Sequence, residues 1–170
     1  MKRLTIMELL DEQELSNVTS LCPNLEELNL SCKNGTITSI DALSDYKLTL
    51  QKLSLHYCDH VSEESYLTLK DCKQLQYLRF YHCLHITNDV VYTLAKKISS
   101  LDGVSYSHCA SLTPEGMQKV YTDFPRLNTI AGGALDDSDD EDDVEFDPDC
   151  NWYEKDYEGS DPDSYATDNS

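Results

Sequence analysis

Leu75-Gln76-Tyr77-Leu78-Arg79-Phe80-Tyr81-His82-Cys83 decides the fold, because it recurs. Its frame, Leu75-x-x-Leu78-x-Phe80, is preceded by Leu25-x-x-Leu28-x-Leu30 and Leu50-x-x-Leu53-x-Leu55. It is followed by Leu101-x-x-Val104-x-Tyr106 and by a fading copy at Leu127-x-x-Ile130. The steps between copies are 25, 25, 26 and 26 residues, and an incomplete copy, Leu4-Thr5-Ile6, stands ahead of them. A fixed period of this length marks a repeat architecture in which each unit cannot bury its apolar face alone and must stack on its neighbours.

Each unit shares one grammar. A short apolar strand comes first, then a cysteine at Cys58, Cys83 and Cys109. An apolar residue and a hydroxyl follow, Val61-Ser62, Ile86-Thr87 and Leu112-Thr113. Ser and Thr side chains accept the orphan N–H groups of a helix start, and Pro114 suits the first helical turn. A helix of about three turns is expected next, with an apolar face such as Val90, Val91, Leu94 and Ile98. In the first unit Cys32 sits one place early and Lys33 takes the expected position, so a local distortion is expected there.

The pattern resembles the cysteine-containing leucine-rich repeats of F-box/leucine-rich-repeat proteins and of the related mitotic-exit-network antagonist family, over residues 4–130. Cys22-Pro23-Asn24-Leu25-Glu26-Glu27-Leu28-Asn29-Leu30 is especially close. The resemblance implies an α/β leucine-rich-repeat solenoid, a horseshoe with a parallel β ladder on the concave side and helices outside. It implies a domain at 1–131 of about five repeats with a partial first one. It further implies a non-enzymatic protein-interaction module that recognises or regulates substrates in a cullin-type (SCF) ubiquitin ligase and proteasomal degradation context. An F-box of about 40–50 helical residues does not fit before Leu4, so no adaptor contact is assigned. The Leu4–Ile6 strand is expected to lie at a sheet edge with little covering it.

Strand side chains alternate, so the residues flanking the inward leucines define the open face. On the middle repeats these are Lys52, Ser54 and His56, then Tyr77, Arg79 and Tyr81. Lys52, His56, Tyr77, Arg79 and Tyr81 form a basic–aromatic cluster of the residue types that anchor protein interfaces, and are the expected partner site. An acidic segment of the same chain is a second candidate occupant. His56-x-Cys58-x-His60, His82-Cys83-x-His85 and His108-Cys109 carry zinc-type ligands. Yet Cys58, Cys83 and Cys109 occupy one repeat position, which spreads them along a ladder instead of converging four ligands on a point. They are read as structural packing thiols, with no metal and no cofactor. No nucleophile elbow, phosphate loop or paired-acid motif occurs, so no catalytic residue is assigned.

The net charge is −19, and it is unevenly spread. Residues 1–130 hold 12 Lys and Arg against 16 acids, while residues 131–170 hold 1 Lys against 16 acids. A body near −4 does not neutralise phosphates, which argues against nucleic acid as a partner. The segment 132–170 is expected to be a disordered acidic tail. Val144, Phe146, Trp152, Tyr153 and Tyr157 stand among its acids, and Ser138 and Ser160 have an acid three residues on, as acidophilic kinases prefer. A leucine-rich solenoid with such a tail is similar in outline to the acidic leucine-rich nuclear phosphoproteins. That likeness implies the alternative function, binding histones or other basic proteins. No apolar run is long enough to span a membrane, and seven cysteines without paired spacing read as reduced thiols, so the cytoplasm or nucleus is expected.

Overall fold

The computed structural model describes residues 1–8, 11–33 and 35–131. Six strands alternate with helical segments: β1 (Arg3–Ile6), β2 (Glu27–Ser31), β3 (Lys52–His56), β4 (Tyr77–Tyr81), β5 (Gly103–Ser107) and β6 (Asn128–Ala131). They form one parallel sheet in chain order. The repeat sets the register. Leu4, Leu28, Leu53, Leu78 and Val104 stand in one row, and Ile6, Leu30, Leu55, Phe80 and Tyr106 in another. From Leu28 to Val104 the first row is buried, as are Leu30, Leu55 and Phe80 of the second. A fully buried leucine contributes about 2 kcal/mol, so the in-phase rows are the main source of cohesion.

Helices α1 (Glu12–Leu21), α2 (Glu63–Leu67), α3 (Asn88–Lys97) and α4 (Pro114–Asp123) return the chain to the next strand. The expected caps are in place: Ser62 Oγ accepts from the Ser65 N–H at 3.2 Å, Thr87 Oγ1 from Val90 at 3.3 Å and Thr113 Oγ1 from Gly116 at 3.1 Å. Asp11 caps α1 in the same way at 2.9 Å. Two units depart from the expected three-turn helix. Asp41–Tyr46 is a single 3-10 segment, and α2 passes after five residues into a 3-10 turn at Thr68–Asp71. In the first of these units residues 35–40 form neither helix nor strand and use up chain before the helix can start, and a 3-10 turn covers more distance per residue.

Neighbouring units are tied by side chains reaching one repeat along. Glu12 Oε1 accepts from the Thr38 N–H at 2.7 Å and its hydroxyl at 2.9 Å. These bonds hold the Glu12 carboxyl down at about 2. Tyr46 OH donates to Val18 C=O at 3.2 Å, and Ser100 Oγ to Leu75 C=O at 2.8 Å. Arg126 donates to the carbonyls of Leu101 and Ile98, both at 3.1 Å, and to that of Ala95. It thereby ties the last turn of α3, at Ala95, to the turn that leads into the next strand.

The last strand departs from the leucine phase. Leu101 to Leu127 predicts an offset of 26, but β5 and β6 pair as Gly103↔Asn128 through Tyr106↔Ala131, an offset of 25.

Candidate docking surface

One face of the sheet packs against the core. The other carries Glu27 and Asn29 on β2, Lys52, Ser54 and His56 on β3, Tyr77, Arg79 and Tyr81 on β4, and Gly103, Ser105 and Ser107 on β5, of which Ser54, His56, Gly103 and Ser105 are buried. The register sets the five anticipated residues side by side, with Lys52 opposite Tyr77, Ser54 opposite Arg79 and His56 opposite Tyr81. Lys52 Nζ lies 5.7 Å from the Tyr77 ring centroid. On its other side Tyr77 leans over Gly103, where an added Cβ would come within 2.9 Å of Tyr77 Cδ1. The glycine is a seat for the ring.

His56 differs from expectation. It is only 9% exposed, its Nε2 lies 2.8 Å from Ser54 Oγ, and its ring centroid is 5.6 Å from that of Tyr81. Burial, assisted by the Arg79 charge, lowers its pKa to about 4. At neutral pH it is an uncharged support beneath the cluster, and Lys52 and Arg79 carry the positive charge.

A second group, unanticipated from sequence, lies at the C-terminal ends of the strands. Tyr57, His82 and His108 each follow a strand directly and each adopt a left-handed backbone, with φ of 55°, 49° and 52°. Such a conformation costs a non-glycine residue about 1 kcal/mol. It turns these side chains outward and the following cysteine inward. The rings stack in a column: Tyr57 on His82 at 5.0 Å and 14°, His82 on His108 at 4.8 Å and 5°. Tyr81 meets all three edge-on, at 5.5, 5.0 and 5.2 Å. Lys33 Nζ closes one end, 5.4 Å from the Tyr57 ring centroid. Burial, then the His108 charge, lowers the His82 pKa, against an upward pull from Asp59. The available signal was the ring before each cysteine, Tyr57-Cys58, His82-Cys83 and His108-Cys109.

Behind the column run the thiols. Cys58 Sγ lies 3.4 Å from Cys32 Sγ, Cys83 donates to Leu55 C=O at 3.4 Å, and Cys109 to Ser107 C=O at 3.3 Å. All four are buried and free. Hydrogen bonding to neighbouring thiols, together with burial, pushes the Cys58 thiol well up, and that of Cys109 likewise. Cys32 is not displaced from this ladder. Its N–H donates to His56 C=O, as the Tyr57 N–H does to Tyr81 C=O. It therefore holds the backbone place of a column residue, but its side chain points inward and Lys33 takes the outward place. Among the described residues no cluster of three or more His, Cys, Asp or Glu side chains is arranged to hold a metal.

The acidic segment 132–170, with Ser138 and Ser160, lies outside the described residues. No helix among the described residues is long and apolar enough to cross a membrane. Comparison with protein-family models gives no match for this chain, and comparison with curated proteins gives none either.

Proposed function

We propose that the chain is a leucine-rich-repeat solenoid whose open, concave sheet face docks a protein partner, and that it acts as a non-catalytic interaction module. The observation that carries this reading is the set of Lys52, Tyr77, Arg79 and Tyr81 on adjacent strands, with Tyr77 seated between Lys52 and Gly103. Tyrosine and arginine held in place by neighbours lose little entropy on binding, which is why they dominate interface energies. The in-phase leucine rows and the thiol ladder support the solenoid. The resemblance to F-box/leucine-rich-repeat proteins supports reading the module as one of ubiquitin-ligase substrate recognition or its regulation, acting in the cytoplasm or nucleus.

The test is quantitative capture with the tagged full chain against Tyr77→Ala/Arg79→Ala. The expected result is loss of a discrete partner, with cullin-ligase components among the proteins recovered, and a melting temperature within a few degrees of the parent. An unchanged set of captured proteins refutes the face as the docking site.

A second reading is favoured by the 16 acids against 1 Lys in residues 131–170, which suit a binder of histones or other basic proteins. Capture of basic proteins that depends on those acids and not on Tyr77 selects it.

A further inference from the structure

We propose that the strand-entry end of the sheet, at the opposite end of the strands from the ring column, is a second docking site, which takes an extended peptide segment that sets carboxylates beside an apolar residue. This goes beyond the docking face described above and does not rest on it. The first argument is shape. The turns that lead into β2, β3 and β4 border a cleft of about 510 Å³, with Asn24, Glu26, Leu48, Thr49, Gln51 and Gln74 in its lining. Ligand sites run from about 300 to 1,000 Å³, so there is room for a few residues of peptide. Asn24, Thr49 and Gln74 occupy one repeat position and so stand on successive units. With strands about 4.8 Å apart, about three extended residues at about 3.3 Å each cover that span.

The second argument is the lining. Among the described residues, the carboxamides of Asn24, Gln51 and Gln74 have no hydrogen-bond partner. Each offers a donor and an acceptor, the same pair that a peptide unit offers in return. Leu48, on the same wall, is 72% exposed, a leucine that the core does not use. The acid of the lining, Glu26, is engaged by Lys2 at 2.8 Å.

The third argument is charge. Lys47 and Lys73 immediately precede the lining residues Leu48 and Gln74. The Lys73 N–H donates to Lys47 C=O at 3.0 Å, and Lys73 Nζ donates to Lys97 C=O at 3.3 Å and to Lys70 C=O. The backbones of four lysines from three units thus meet at one corner, and all four residues are exposed. None of the four is in an ion pair among the described residues. The acids of the same turns are fewer. Asp71 and Asp102 are two, and Asp45 accepts from Thr19 Oγ1 at 3.3 Å on the side of α1. Opposite charge across an interface sets which partners are accepted. A nucleic acid or a lipid surface extends past the corner onto Glu26, Asp45 and Asp102, whereas a segment of a few residues stays on the lysines.

The experiment is fluorescence anisotropy on the full chain with labelled peptides of about 10 residues, long enough to cross three units. One sets Leu among Glu and Asp, and one replaces every acid by Gln or Asn. A labelled oligonucleotide of the same net charge is the third probe. Because the chain carries its own acidic run at 136–143, the series is repeated on the full-length variant Asp139→Asn/Asp140→Asn/Asp142→Asn/Asp143→Asn, which removes competing charge. The expected result is binding of the acidic peptide, at least about tenfold weaker binding of the amide peptide and of the oligonucleotide, and weakening as salt rises. Lys47→Glu/Lys70→Glu and, separately, Leu48→Asn, both verified as folded by circular dichroism, should each weaken the acidic peptide at least about fivefold. The inference is overturned if neither form of the chain binds the acidic peptide, if the amide peptide or the oligonucleotide binds as well, or if both variants bind as the parent does.

Discussion

Acid should weaken this fold through His56 before the carboxylates take part. The imidazole is neutral in the folded state, with its pKa lowered from 6.5 to about 4 by burial and by Arg79. A histidine depressed in this way stabilises the fold fully above its unfolded pKa, and that contribution is lost as pH falls from 6.5 toward 4. Two and a half pKa units correspond to about 3 kcal/mol, of which about 2 kcal/mol is gone by pH 5. The window is clean on the acid side, because Glu12, lowered from 4.5 to about 2, withdraws its contribution only below its unfolded value. His82 is also lowered and shares the histidine window, so the comparison must be between proteins. The assay is urea unfolding from pH 7 to pH 5 on the parent and on His56→Gln, with NMR titration of the five histidines. The parent should lose about 2 kcal/mol more than the variant across that range. A His56 resonance titrating near 6.5, or equal slopes for the two proteins, refutes the account of a buried neutral support.

Gly116→Ala should destabilise despite the better helix former. The new Cβ would fall 2.2 Å from Asn88 Cγ, displacing the amide that donates to Thr113 Oγ1 at 3.1 Å and accepts its N–H at 3.2 Å. Two hydrogen bonds at about 1 kcal/mol each outweigh about 1 kcal/mol of helix propensity, so urea unfolding should show a net loss of about 1 kcal/mol. Cys58→Ser puts a hydroxyl where the thiol is fully buried, its nearest acceptors being Cys32 Sγ at 3.4 Å and His56 C=O at 3.6 Å. It should lower stability by about 1–3 kcal/mol, while a chelator leaves the parent's melting curve unmoved. Arg126→Lys should lose most of about 2 kcal/mol in thermal or urea unfolding, because an ammonium cannot span the carbonyls of Leu101, Ile98 and Ala95. Retention of parent stability in Arg126→Lys refutes the bridging role.

Legibility in the sequence followed phase. Leu53, Leu55, Leu78 and Phe80 could be placed on the packed face because the period of two within each strand and the period of 25 between strands agree. Ser62, Thr87 and Thr113 could be placed at helix starts because a hydroxyl there has one local task. Burial on the open face was not legible. His56 alternates outward as expected, yet Ser54 and Tyr81 from two strands enclose it, and no one-dimensional pattern encodes that. The ring column was hidden for a different reason. Its left-handed backbone is usually announced by Gly or Asn, and here Tyr57, His82 and His108 hold it instead.

The irregularity at Cys32 then has a physical meaning. The later units place one left-handed residue between the strand and the cysteine; the first unit omits it. Without a positive φ, the residue after Ser31 keeps its side chain on the packed side, and that residue is the cysteine, which still reaches Cys58 Sγ at 3.4 Å. The next residue, Lys33, is thereby the one turned out against Tyr57. Inserting a single residue between Ser31 and Cys32 should restore the regular grammar, extend the ring column if the residue is tyrosine, and move Lys33 off the Tyr57 face. The melting temperature should hold or rise, and a fall of several degrees on insertion refutes this account.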